Sequence, residues 1–312
     1  MGVPELAVIV STYQRPEHLR RCLVSLTTQQ DVDGRFEVIV TDDGSMDDTE
    51  LVVADFERQA DFPIKFTTHP HNGFQLSRCR NEGVAVSSAP YLLFTDGDCI
   101  LPPDHLRCHL EFRRPGKLVA GDNYRFNEET SHRVTDDAIR SGVCFDWIPA
   151  QERRRLAGKA LRAWGYQLLR FKMLPRLTGN NIGVWRADFE RVNGFDENFV
   201  GWGFEDRDLQ RRLEMVGVRC MSILSRTAVC HLWHPPAPSF ARNGVGTRNL
   251  EYFQRATIPS RCQVGLAERI LAMKAAPTEL EDSVPTLLPF SKAESRHMPD
   301  PGNAHRSKRQ VA

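Results

Sequence analysis

Three stretches, Leu6–Thr12 (LAVIVST), Phe36–Thr41 (FEVIVT) and Tyr91–Phe94 (YLLF), are apolar at consecutive rather than alternate positions. Successive strand residues point to opposite faces, so these runs need cover on both sides, as in a parallel sheet sandwiched between helices. Helix-period segments lie between them. Pro16 starts one, followed by Leu19, Cys22, Leu23 and Leu26 at i, i+3, i+4, i+7 spacing. A second starts at about Asp48, with Leu51, Val52 and Phe56 expected to face inward, and a third covers Ser77–Ala85. With Ile64–Thr68 as a further strand, the β-α-β-α-β-α-β alternation predicts an α/β fold. Its central sheet is mostly parallel, flanked by helices and joined by right-handed crossovers.

In such a sheet Ser11-Thr12-Tyr13, Asp42-Asp43-Gly44-Ser45 and Asp96-Gly97-Asp98 project from one edge, where open α/β sheets bind ligands. Asp96 and Asp98 are oxygen donors suited to Mn²⁺ or Mg²⁺. Gly97 between them permits a sharp bend. Asp and Gly are also common in plain turns, so the triplet alone leaves both readings open. A dinucleotide site would want G-x-G-x-x-G after the first strand, and the chain has S-T-Y-Q-R-P there; a P-loop's G-K-[ST] is also missing. Arg80 is either a bidentate phosphate ligand or an ordinary surface arginine.

Pro102-Pro103 opens a helix to about Arg114, and Lys117–Phe126 reads as one strand. Residues 127–150 lack periodicity and read as an insertion or mobile loops. Residues 152–174 form a basic helix. Its stripe of Ala157, Leu161, Trp164, Leu168 and Phe171 is flanked by Arg153, Arg154, Arg155, Lys159, Arg162, Arg170 and Lys172. Three uses fit it: packing on the domain, peripheral association with an anionic membrane, and contact with an acidic acceptor or partner. Gly201-Trp202-Gly203-Phe204-Glu205-Asp206 opens a helix with Leu209, Leu213 and Val216 inside. Glu205 and Asp206 there serve either capping or chemistry. Trp202 between glycines is expected to be exposed and available for stacking on a sugar. His231 and His234 bracket Trp233, and one of them could complete a metal site. Strands at Val218–Ile223 and Thr227–Leu232 and a helix at Gly265–Ala276 follow. Residues 277–312 lack periodicity and read as a disordered tail.

With 41% hydrophobic and 26% charged residues and a net charge of +1, there is no global case for nucleic-acid binding. No apolar run approaches ~18 residues. The N-terminal stretch lacks the basic region of a secretion signal, and Leu6 stands where a myristoylation motif wants Ser or Thr. Eight scattered cysteines without a C-x-x-C pair read as reduced thiols. The expected location is the cytoplasm, with membrane-peripheral placement left open by the basic helix.

Taken together, VIVSTYQRPEHLRRCLVSL, VIVTDDGSMDDT, NGFQLSRCRNEG and LLFTDGD resemble family 2 glycosyltransferases of the GT-A fold. GNNIGVWRADFERVNGFDENFVGWGFEDRDLQRRL with VCHLWH is similar to the carboxyl-terminal module of galactosyltransferases and chondroitin-type polymerases. The resemblance implies a metal-dependent, inverting transferase that uses a nucleotide-sugar donor, most often a UDP-sugar; the sequence leaves the acceptor open among a glycan, a lipid-linked glycan and a peptide. The resemblance also implies roles. Thr12, Tyr13, Arg15, Asp43, Arg80, Asp96 and Gly97 belong to the donor nucleotide site, with Thr12, Tyr13 and Asp43 on the uracil and ribose and Arg80 near the base or diphosphate. Asp98, with Asp96 and His231, would hold Mn²⁺ or Mg²⁺. Asp206 would be the general base and Glu205 a hydroxyl ligand, with Trp202, Gly203 and Asn181 on the sugar-acceptor side. The implied organisation is a nucleotide-sugar half at 1–126, a variable insertion at 127–176 and an acceptor half at 177–276.

Overall fold

The computed structural model describes residues 3–169, 171, 178–236 and 248–275. Its strands are β1 (Leu6–Thr12), β2 (Phe36–Asp42), β3 (Ile64–Thr68), β4 (Tyr91–Asp96), β5 (Cys99–Ile100), β6 (Lys117–Ala120), β7 (Asn123–Arg125), β8 (Ile182–Trp185), β9 (Arg219–Ser222) and β10 (Val229–His231). Its helices are α1 (Pro16–Leu26), α2 (Thr49–Gln59), α3 (Leu76–Val86), α4 (His105–Phe112), α5 (Glu128–Arg133), α6 (Asp136–Arg140), α7 (Ala150–Leu168), α8 (Arg186–Arg191), α9 (Glu205–Met215), α10 (Arg248–Phe253) and α11 (Leu266–Ala275).

Alternation within β1 shows why consecutive apolar residues are needed. Leu6, Val8 and Val10 enter the core layer shared with α1, while Ala7 and Ile9 enter the layer shared with α3 and α9. β4 divides in the same way, Tyr91 and Leu93 to one layer and Leu92 and Phe94 to the other. The seven-stranded sheet has the order β3-β2-β1-β4-β8-β6-β9. β8 is antiparallel to both its neighbours, and the other pairings are parallel. The expected mostly parallel α/β sheet is therefore present. A smaller sheet, β5-β10-β7, brings His231 beside the Asp96-Gly97-Asp98 turn, because His231 pairs with Cys99 across β10 and β5.

Several expectations need correction. In α2, Leu51 faces solvent and Val53 fills the core, with Val52 and Phe56 packed at its edge. Lys117–Phe126 is not one strand: Gly121 and Asp122 separate β6 from β7, which join different sheets. Residues 127–150 are ordered, as α5, α6 and a 3₁₀ turn at Val143–Trp147. Asn127 and Thr135 cap the two helices by accepting from Thr130 N and Ala138 N. Val134, Ile139, Cys144 and Ile148 close a satellite core over Cys230 and Leu232.

The largest correction concerns α7. It docks through Leu156 and Ala163, which are buried, and through cations that meet a buried acid. Lys159 pairs with Asp122, Arg155 lies 3.8 Å from the same carboxylate, and Asp122 is 4% exposed. A buried carboxylate demands cations, so the polar face turns inward. The apolar stripe is left in solvent, with Leu161 68%, Trp164 63% and Leu168 66% exposed. All eight cysteines are buried and unpaired. Among the described residues no helix is long and apolar enough to cross a membrane. The expected tail, 277–312, lies outside the described residues.

Candidate active site

The turn after β4 is pressed against the end of β1. Gly97 N donates to Ser11 O at 2.8 Å. A Cβ at Gly97 would lie 3.2 Å from the Thr12 Cβ and Oγ1, so close approach rather than a left-handed backbone selects glycine there. Asp96 and Asp98 then diverge into two clusters.

Asp98 faces Arg15 and two histidines. Its Oδ1 lies 3.5 Å from His231 Nε2, and its Oδ2 lies 3.1 Å from His234 Nε2 and 3.4 Å from Arg15 Nη1. Burial opposes the ionised form, but His231, His234 and Arg15 outweigh it and hold Asp98 well below the usual carboxylate range. Arg15 therefore reaches the second carboxylate of the turn.

Asp96 faces the other half of the molecule. The Arg80 guanidinium, 1% exposed, donates from Nη2 to Asp96 Oδ1 at 3.2 Å and to Gly179 O at 2.8 Å. Its Nη1 lies 3.5 Å from Glu205 Oε1, and the group sits over the Phe195 ring at 5.0 Å. A Cβ on Gly179 would stand 2.9 Å from Nη2, so glycine makes room for this bridge. Arg80 is thus not a surface arginine: it ties the end of β4 to the start of α9. Its Nη1 and Glu205 Oε2 are both buried without a hydrogen-bond partner, which is costly unless a ligand completes them.

Glu205 and Asp206 stand in the first turn of α9. The approach turns through positive φ at Gly201 and Gly203, 88° and 98°, which glycine adopts freely, and at the non-glycine Phe204, 75°, where it is strained. Asn249 of α10 holds this loop, donating to Gly201 O at 3.2 Å and Gly203 O at 3.1 Å. Trp202 is 40% exposed on it. Desolvation, with the charge of Asp206 adding, lifts Glu205 to about 7 against the pull of Arg80. Asp206 is also raised by desolvation, again opposed by Arg80. Carboxyls raised toward neutrality beside a fixed cation mark proton-transfer sites.

The nucleotide-side residues form a third group. Asp42 organises the β2 turn, accepting from Gly44 N, Ser45 N, Ser45 Oγ and Thr68 Oγ1. Tyr13 stacks on His71 with ring centroids 4.3 Å apart and planes 11° from parallel. Asp43 is buried, taking Gln75 N on Oδ2 at 3.0 Å and His69 Nε2 on Oδ1 at 3.0 Å. His69 Nδ1 meets Glu82 Oε2 at 2.7 Å. Carboxylates only accept, so both ring nitrogens carry protons and His69 is an imidazolium. Burial opposes that charge, yet the bonds to Asp43 and Glu82 prevail and raise His69 to about 9. The Asp43–His69–Cys79 trio has ligating atoms close together. It offers no metal site, because the ring nitrogens are already spent and burial pushes the Cys79 thiol far up.

A folded-state pKa above the unfolded value of ~6.5 stabilises the fold fully below that pH and loses the contribution as pH rises through about 9. The melting temperature should therefore fall as the solution passes from neutral to about pH 9. His69→Gln should lower stability by ~3 kcal/mol at neutral pH, because two buried carboxylates would then face each other. It should also flatten that alkaline slope. An unchanged slope in His69→Gln would contradict the assignment.

Asn181 does not reach the cleft. It is fully buried, its Oδ1 with His109 Nε2 at 3.0 Å and its Nδ2 donating to Asp122 O, so its place is the core under β6 and β8. Sequence reading missed His69, Glu82 and Asn249. No spacing rule joins His69 to Glu82, and Asn249 lies in a segment with no signal of its own.

Comparisons with known proteins identify the family. The family model "Glycosyl transferase family 2" matches residues 7–178, and "N-terminal domain of galactosyltransferase" matches residues 160–234. A validoxylamine A glucosyltransferase of Streptomyces hygroscopicus subsp. limoneus is 33% identical over 69% of the chain and 49% of its own length. The Escherichia coli chondroitin synthase is 26% identical over 78% of the chain and 37% of its own length. The chain spans about half the length of the first of these relatives. The S. aureus TarS 1–349 structure in complex with UDP-GlcNAc superposes with a TM-score of 0.53 at 17% identity, over 75% of this chain and 60% of that one. It shows the shared GT-A fold. The chain belongs to glycosyl transferase family 2.

Proposed function

We propose that the protein is a metal-dependent, inverting glycosyltransferase that moves a sugar from a UDP-sugar to a hydroxyl of a glycan or lipid-linked glycan. The observation that carries this reading is the two-sided turn, with Asp98 among metal-ligating groups and Asp96 joined through Arg80 to Glu205.

The residues around Asp98 fit a divalent cation. Oxygen and imidazole ligands at ~2.1 Å from one ion stand ~3 Å from each other. The two Asp98–histidine separations are 3.1 Å and 3.5 Å. His234 Nδ1 donates to Pro235 O at 2.7 Å, which leaves Nε2 as its ligating atom. Asp98, His231 and His234 would hold the ion, with Arg15 behind them. When bound it supplies neutralisation of the leaving diphosphate. Asp96 lies against Arg80 and shapes the floor between the two clusters.

Tyr13, Thr12 and the β2 turn supply the nucleotide end of the cleft, and Asp43 holds its wall through His69. The acceptor hydroxyl gives its proton to Asp206 as its oxygen bonds to the anomeric carbon. The bond from that carbon to the phosphate oxygen breaks, and UDP leaves with the electron pair. A single in-line displacement inverts the centre. Trp202 offers an aromatic face for a sugar ring, and Glu205, kept near neutrality by burial and Asp206, orients hydroxyls.

Of the relatives, the TarS structure is described with UDP and with UDP-GlcNAc, which supports a uridine donor. A Pyrobaculum calidifontis neighbour is described with GDP-Man and Mn²⁺, which supports the metal. The test is a thermal-shift panel of UDP-, GDP-, dTDP- and CMP-sugars with and without Mn²⁺. Uridine nucleotides should stabilise the protein only with the ion. Equal stabilisation by every nucleotide, or by none, would overturn the donor assignment.

A further inference from the structure

The transfer reaction makes no use of the outward face of α7. Leu161, Trp164 and Leu168 recur along one side of the helix, and Leu169 and Phe171 continue the patch with 69% and 55% exposure. Single exposed leucines need no explanation, but a contiguous patch with a tryptophan at its centre does. Folding does not account for it: α7 is held on its other side by Leu156, Ala163 and the pairs to Asp122.

Charge identifies the occupant. Arg153, Arg154 and Arg162 are exposed and flank the stripe. The single acid within α7, Glu152, is occupied by Arg155 at 2.7 Å. The outward face therefore combines leucines and an indole with unneutralised arginines. That is the pattern of a helix lying in the plane of an anionic bilayer, apolar side chains at the acyl boundary and guanidinium groups among headgroups. A second protein copy would bring the same arginines together, and an apolar partner would leave them unanswered.

We propose that α7 is a membrane-docking helix that seats the protein on an anionic lipid surface through Leu161, Trp164, Leu168 and Leu169, with Arg154 and Arg162 at the headgroups. This surface is separate from the transfer site, and the inference stands or falls without it.

The test uses the full chain and vesicles of phosphatidylcholine, with and without about 30 mol% phosphatidylglycerol. The wild type should co-sediment with the anionic vesicles and release at high salt. Trp164→Ser with Leu168→Ser should lose about tenfold or more in partitioning, since both side chains leave the acyl boundary. Arg154→Glu with Arg162→Glu should lose the preference for phosphatidylglycerol. These positions are exposed, so far-ultraviolet circular dichroism should stay unchanged. Failure to bind anionic vesicles, or binding that survives both double variants, would overturn the proposal. A wild-type dimer in sedimentation equilibrium that Trp164→Ser dissociates would also overturn it, assigning the face to a second copy.

Discussion

Asp98→Ala is expected to cost on the order of a thousandfold or more in transfer rate and to abolish the effect of Mn²⁺ on UDP binding. Among the described residues Asp98 is the one carboxylate set against both His231 and His234, so its removal leaves two imidazoles and no oxygen ligand, too few for a hard divalent cation. Asp96→Ala should behave differently. It removes one of the two carboxylates on the buried Arg80, leaving Glu205 as the other, so it should lower stability as well as activity. Calorimetric titration of UDP with Mn²⁺, and again with excess EDTA, separates the two variants. Metal-dependent UDP binding retained by Asp98→Ala would remove Asp98 from the role.

The second large effect is expected at Asp206. Asn in its place keeps the shape and the bond accepted from Arg207 N but has no basicity, so transfer should fall by a factor of about 10² to 10⁴. UDP-sugar affinity should stay within a few-fold, because the role proposed for Asp206 is in the attack on the anomeric carbon and not at the diphosphate. Glu205→Gln should mainly raise KM for the acceptor. Wild-type kcat/KM should drop as the pH is lowered, since burial raises the Asp206 carboxyl above the usual carboxylate range. The base must be ionised to accept a proton, so activity is lost as pH falls. Full activity in Asp206→Asn would assign the base elsewhere.

The strands of the main sheet were legible because burial on both faces leaves an uninterrupted apolar run, as in β1, β2 and β4. The strand-end clusters followed from them, since a parallel sheet puts like ends on one edge. What remained hidden depended on partners distant in sequence. Val52 and Val53 are equally apolar, and only the packed sheet decides that Val53 is the core residue. The inward face of α7 is set by Asp122, 37 residues before Lys159, which draws Lys159 and Arg155 beneath the helix. Helices of five and six residues, such as α5 and α6, are too short to display a 3.6-residue period. Their caps, Asn127 and Thr135, were the available signal. In the candidate site, spacing could not choose between His231 and His234, and the structure sets both against Asp98. Nor could the sequence show that Arg80 is buried as the link between Asp96 and Glu205, because that bridge exists only once α9 packs against the end of β4.

The most direct test is release of UDP from a UDP-sugar by the wild-type protein with Mn²⁺, repeated with EDTA, with Asp98→Ala and with Asp206→Asn. The expected result is UDP formation in the first reaction and a rate lower by about a hundredfold or more in the other three, with Asp206→Asn alone among the variants retaining Mn²⁺-dependent UDP binding. UDP release at the wild-type rate in EDTA, or by either variant, would contradict a metal at Asp98 serving a base at Asp206.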